Sequence, residues 1–172
     1  GFDVDDFLTR FLIAFTDGNP FYLNKIVAGI RDMAIERMTS HIDIGIVTDV
    51  ILKLVYNSGG TIHQYLMNYI LELLDTKSKN LHMSVLASIA MGRNRPAEIA
   101  KTLHVKKSAV SEALQRLSEQ GLITRSGIFF MIDDIMLEFW LKNVYERRRN
   151  LLVDGAFDKL SLFREDIKAY IA

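Results

Sequence analysis

A chain of 172 residues that is 49% hydrophobic and 24% charged has the composition of a folded globular protein, with room for one domain and an accessory unit. Basic and acidic residues balance at 21 each, so no extreme charge dictates a partner, and cysteine is absent, which removes disulfides, thiolate metal sites and cysteine nucleophiles and suits a reducing, cytoplasmic setting. No apolar run approaches the ~20 residues that cross a bilayer and no signal-peptide pattern is present, so no membrane partner is expected.

The first predicted helix carries Val4, Phe7, Leu8, Phe11, Leu12 and Phe15 on one stripe and ends at Asp17-Gly18. Pro20 opens the second, where a missing N–H costs nothing, and Leu23, Ile26, Val27, Ile30, Met33, Ala34 and Met38 mark its inner face. A third stripe, Ile44, Val47, Val50, Ile51, Leu54 and Val55, stops at Ser58-Gly59-Gly60; a fourth runs Ile62, Tyr65, Leu66, Tyr69, Ile70, Leu73 and Leu74. Four such helices predict a bundle, and the polar stretch from Asp75 to Asn80 breaks the periodicity.

Shorter elements follow. Leu81, Val85, Leu86, Ile89 and Ala90 lie on a helix closed by Gly92, and Pro96 starts two turns with Ile99, Ala100 and Leu103 inward. After a break at His104-Val105, Val110, Leu114 and Leu117 form an i, i+4, i+7 stripe on a helix that Gly121 terminates. Residues 122–125 and 128–132 read as strands of a hairpin turning at Ser126-Gly127. Helix, helix, turn, helix and hairpin make a winged helix-turn-helix.

In that order the first two helices brace the third, which stands proud at the width of a DNA major groove. Its inward positions leave Lys106, Lys107, Ser108, Ser111, Glu112 and Gln115 outside. Lysines and hydroxyls suit phosphate oxygens, and Gln115 suits an adenine edge, worth roughly 1–3 kcal/mol of discrimination. Arg125 and Ser126 on the wing reach toward a neighbouring groove, whereas Glu112 and Glu119 oppose a phosphate partner. Residues 81–128 carry seven basic residues against three acidic ones, the reverse of residues 1–80 with seven against ten. Double-stranded DNA is therefore the expected partner. The alternative is a winged helix that docks on protein, these charges serving only to keep the helix solvated.

The stretch Arg95-Pro96-Ala97-Glu98-Ile99-Ala100, with Val110-Ser111 and Leu117 to Ile123, resembles the winged-helix region of prokaryotic, mainly archaeal, AAA+/STAND-type ATPases. Gly18-Asn19-Pro20-Phe21-Tyr22-Leu23 is similar to the segment that opens the helical lid in that family, and Asp133-Asp134 through Glu138-Phe139-Trp140-Leu141 and Val144-Tyr145 resembles its element just past the wing. The resemblance implies a lid that closes over nucleotide, with Asn19, Pro20 and Tyr22 near an ATP site of an intact protein. Arg31 and Arg37 are sensor candidates by residue type alone and read otherwise as solvated helix charges. The Gly-rich phosphate loop and the acidic magnesium-binding strand of the family are missing from this sequence. The expectation is thus a C-terminal portion, lid plus winged helix, partnered by an ATPase core or by a second copy, without cofactor or catalytic centre of its own.

His41, His63, His82 and His104 fall singly on different elements and suggest no metal set. Asp133-Asp134 reads as a helix N-cap and Trp140 as core. Arg147-Arg148-Arg149 fits either a DNA backbone or the negative end of its own helix. Leu160, Phe163, Ile167, Tyr170 and Ile171 give a last helix an apolar face that must dock on the bundle, another copy or another domain. The expected architecture is mainly α: a lid-like four-helix bundle over 1–78, a winged helix-turn-helix over 79–132 and C-terminal helices over 133–172.

Overall fold

Helices of the first half start where short polar side chains take up free amides. Asp5 accepts from the Phe7 amide at 3.0 Å before α1 (Asp6–Thr16), and Asn19 from the Phe21 amide at 2.9 Å before α2 (Pro20–Glu36). Asp43 accepts from the Ile46 amide at 2.8 Å before α3 (Ile44–Ile51). The computed structural model describes residues 2–74, 78–150 and 159–171; the expected break at Asp75-Thr76-Lys77 and the side chains of Leu160, Tyr170 and Ile171 lie outside the described parts. The chain divides into two units, Gly1–Tyr65 with Leu151–Ala172, and Leu66–Asn150. The division falls inside α4 (Thr61–Leu73).

In the first unit the core is built from Phe15, Ile26, Val47 and Ile51, all with no exposed surface. Beyond α3 the chain continues into a π-helical turn, Leu52–Tyr56, where the Asn57 amide reaches back five residues to the Leu52 carbonyl at 3.1 Å. The Lys53 and Leu54 carbonyls then crowd Gly60 so closely that a Cβ there would meet the Lys53 oxygen at 2.6 Å, which explains a glycine before α4. Helix α10 (Lys159–Ile171) packs on α3 and this turn. Phe163 and Ile167 are wholly buried, and the Phe163 ring lies 4.8 Å from that of Tyr56, so the described part of that apolar face docks within the first unit.

The predicted stripes are wider than the buried faces, since Phe7, Val27, Ile44 and Tyr65 are 51%, 49%, 41% and 42% exposed, and two further positions leave the predicted helices altogether. Val4 is not helical: β1 (Asp3–Val4) pairs in parallel with β2 (His41–Ile42). Met38 is not on the inner face of α2, because the helix ends at Glu36 and Met38 takes a left-handed φ of 53°, leaving its side chain 95% exposed.

The second unit has the winged-helix order: α5 (Lys79–Ala90), α6 (Pro96–Leu103), α7 (Lys107–Glu119), β3 (Ile123–Ser126) and β4 (Phe129–Ile132). It continues through α8 (Ile135–Trp140), a second π-helical turn (Leu141–Tyr145) and α9 (Glu146–Asn150). Val85, Leu86, Ile99, Val110, Leu117, Trp140 and Val144 are fully buried, so α5 and the aromatic-bearing α8 are the core from which the outer elements project. Asp134 caps α8 by accepting from the Leu137 amide at 2.9 Å, and Asp133 accepts instead from the Thr124 hydroxyl, so only the second of the paired acids is the cap. The fold is mainly helical with a small antiparallel sheet, in agreement with the architecture expected for this region. Among the described residues no helix is long and apolar enough to cross a membrane.

The hairpin corrects the predicted turn by one residue. Register pairs run from Ile123 with Ile132 to Ser126 with Phe129, which leaves Gly127 and Ile128 as the two-residue loop. Gly127 has φ 62° and Ile128 is not among the positive-φ residues, the pattern of a type II′ turn with glycine at its first central position. Ser126 therefore remains a strand residue.

Candidate nucleic-acid interface

The helix-turn-helix is closed by local chemistry. Pro96 occupies the first turn of α6, and His104 ends it in the left-handed region at φ 55°. The Val105 amide then bonds the Ala100 carbonyl at 3.1 Å, a Schellman-type closure that reverses the chain within two residues and delivers Lys106 as the N-cap of α7. Val110, Ala113, Leu114 and Leu117 hold α7 against its neighbours, each no more than 2% exposed. At the other end Gly121, with φ 69°, lets the Leu122 amide reach the Leu117 carbonyl at 3.0 Å and turns the chain into β3.

All seven residues singled out from the sequence, Lys106, Lys107, Ser108, Ser111, Gln115, Arg125 and Ser126, are exposed. Lys107, Ser111, Gln115 and Arg125 are brought together around one cavity of about 760 Å³ between α7 and the wing, with Pro96, Leu114, Ile128 and Phe130 as its apolar lining. Lys106, Ser108 and Ser126 do not line it. Lys106 makes no side-chain cap bond, so the positive end of a 13-residue helix is fronted by two lysines rather than by its own acceptor.

The two acids that oppose a phosphate partner are each engaged on α7. Glu112 pairs with Arg116 at 3.3 Å, and Glu119 accepts from the Gln115 amide at 2.9 Å. On the wing, the Arg125 Nε donates to the Gly127 carbonyl at 2.8 Å and its guanidinium lies 5.9 Å from the Phe130 ring centre, which fixes it beside the turn. Arg149, in the basic run of α9, donates to the Ser84 hydroxyl at 3.1 Å and sits 3.8 Å from Glu146, so it is tied into its own unit.

One basic residue of this surface was not among those chosen from the sequence. Arg95, the N-cap of α6, borders the same cavity and holds its guanidinium 4.8 Å above the ring of Phe129. The Phe130 amide donates to the Asn94 carbonyl at 3.0 Å, which laces the segment before α6 to β4. The available signal was the pair Arg93 and Arg95 ahead of Pro96. Among the described residues, no group of three or more His, Asp or Glu is placed to hold a metal ion.

Residues 79–127 match the model of the MarR family, a span that covers α5 to the wing turn. The match confirms the winged helix; it does not extend to the AAA+/STAND ATPases that the sequence resembles. No curated protein and no solved structure matches the chain.

Proposed function

We propose that the winged helix binds double-stranded DNA as a regulator, with α7 in a major groove and the wing alongside. One observation carries this reading: the exposed side of α7 presents Lys106, Lys107, Ser108, Ser111 and Gln115, of which Lys107, Ser111 and Gln115 share a cavity with Arg125 of the wing, and the helix's apolar side is buried beneath. Lys106 and Lys107 meet phosphates at the helix's positive end, and Gln115 addresses a base edge about two turns further on. Members of the MarR family are transcription regulators rather than enzymes, which supports the same conclusion. The likeness of residues 18–23 and 133–145 to ATPase lid and post-wing elements supports a context beside an AAA+/STAND-type ATPase core, or a second copy of this chain, as partner.

A second reading is favoured by the wing itself. Ile128, Phe129 and Met131 are 58%, 36% and 48% exposed, an apolar surface suited to protein. A salt titration separates the two. Phosphate contact makes log affinity for a duplex fall by roughly 0.9 per phosphate neutralised per log unit of salt. Changing Lys106 and Lys107 to alanine is expected to weaken binding to every duplex sequence, and Gln115→Ala to relax preference at one position. Duplex binding that neither change alters refutes the assignment.

A further inference from the structure

Between α1, α2, α3 and the strand pair, the first unit holds a cavity of about 290 Å³ whose lining is aliphatic except for Thr9. Leu12, Ile30, Ile42 and Val47 form its floor, none more than 7% exposed, and Val4, Ile13 and Val27 its rim, at 39%, 49% and 49%. The register of the short strands explains why one wall is uncharged. Asp3 stands opposite His41 and Val4 opposite Ile42, and successive strand side chains point to opposite faces. The apolar pair therefore takes the cavity side, while the Asp3 carboxylate and the His41 ring meet on the other at 3.4 Å. Thr9 spends its hydroxyl proton on the Asp5 carbonyl, one turn back, at 3.4 Å.

A water molecule settles in a protein only where it finds roughly two to four polar partners, and this lining does not offer them. Apolar cavities of about 150 Å³ take up benzene, so a volume about twice that fits two fused rings. We propose that the cavity is a binding site for a small, uncharged, apolar molecule of about ten carbon atoms. No charged side chain lines it, so a carboxylate or ammonium entering would lose its hydration without gaining a partner. A protein segment would bring backbone N–H and C=O groups to an aliphatic rim that answers none of them with a side chain. The site lies within the first unit and stands independently of the DNA-binding reading. Because Val4 is one of its walls, an occupant also holds β1 against β2, a pairing of only two residues per strand that is weak alone. The Asp3 amide, bonded to the Ser40 carbonyl at 2.8 Å, reports that pairing.

The test titrates the full chain, labelled at its Ile, Leu and Val methyl groups, with naphthalene and separately with 2-naphthoate, which has the same rings and a negative charge. Naphthalene is expected to shift the methyl resonances of Leu12, Ile30, Ile42 and Val47 and to slow exchange of the Asp3 amide; 2-naphthoate is expected to do neither. Val47→Phe fills the space from the floor and should abolish the shifts. Should that variant fail to fold, Val27→Asp, a change at a half-exposed rim position, sets a carboxylate at the mouth and should weaken naphthalene binding about tenfold or more. Sedimentation with and without naphthalene is expected to give one unchanged mass. Absent shifts, equal binding of the two probes, or full affinity in Val27→Asp overturns the proposal. So does a dimer that naphthalene dissociates, which would make a second copy of the chain the occupant.

Discussion

Gln115 and Glu119 are joined across one turn of α7, amide nitrogen to carboxylate oxygen at 2.9 Å. A side-chain amide has two N–H donors and an acceptor oxygen, so this bond uses one donor and leaves the other, with the oxygen, for the two-point contact that an adenine edge offers. Glu119 is also a negative charge beside the surface proposed to meet phosphate, and its two effects have opposite signs. Glu119→Ala is expected to bind duplexes more tightly without regard to sequence, because the repulsion goes. It is also expected to discriminate less well at the base that Gln115 is proposed to read, by some part of the roughly 1–3 kcal/mol a two-point contact supplies. Titrations on duplexes differing at one base pair measure both. Unchanged discrimination would show that Gln115 needs no such holding.

What the sequence made legible was whatever depends on near neighbours. Pro20 and Pro96 open helices, Gly121 closes one, and the i, i+4, i+7 spacing of Val110, Leu114 and Leu117 marks the buried side of α7. What escaped depends on partners far along the chain. Val4 sits in a strand only because His41-Ile42 comes alongside, 38 residues away, and two residues carry no alternation to read. The π-helical turns are invisible because an apolar stripe does not record whether an amide reaches back four residues or five. Arg95 was passed over for the same reason: its platform, Phe129, belongs to an element 34 residues later.

Gly127 should be the most sensitive position of the wing. Its φ of 62° is one that an L side chain adopts at a cost of about 1–2 kcal/mol, although nothing stands within 4 Å of where a Cβ would lie. Gly127→Ala is therefore expected to be a purely conformational perturbation. A melt should fall by about 2–4 °C for each kcal/mol lost, as for a chain of this length. The hairpin also carries Arg125, whose Nε bonds the Gly127 carbonyl, so duplex affinity should fall alongside. A melt shift below a degree would remove the type II′ assignment.

Glu138 on α8 gives the second unit a pH dependence of definite sign. Burial pushes its carboxyl above the ordinary 4.5, and Lys142, one turn on, pulls it partly back. Between 4.5 and the raised value the folded protein keeps a proton that the unfolded chain has released. Stability contributed by this residue is therefore highest below 4.5, falls as pH rises through the raised value, and stays reduced above it. Glu138→Gln is expected to be more stable than wild type at neutral pH and to lose that slope. Denaturant titrations followed by Trp140 emission from about pH 4 to pH 8 test this, and a variant that keeps the full slope would assign it elsewhere.

The seat of α10 in the first unit distinguishes polar from apolar anchoring. Asp49 accepts from Arg37 at 2.6 Å and from Arg164 of α10 at 2.8 Å, which invites the view that this carboxylate holds the helix. Both arginines are about half exposed, with side-chain values of 45% and 51%, and ion pairs so placed are worth about 1 kcal/mol or less each. Phe163, with no exposed surface and its ring against Tyr56, is another matter: emptying such a site costs about 3–5 kcal/mol. Asp49→Ala should thus lower stability by about 1 kcal/mol, an effect that salt weakens, while Phe163→Ala should release α10 and open its amides to hydrogen exchange. Equal losses from the two would mean that the shared carboxylate, rather than the aromatic contact, fixes the last helix on α3.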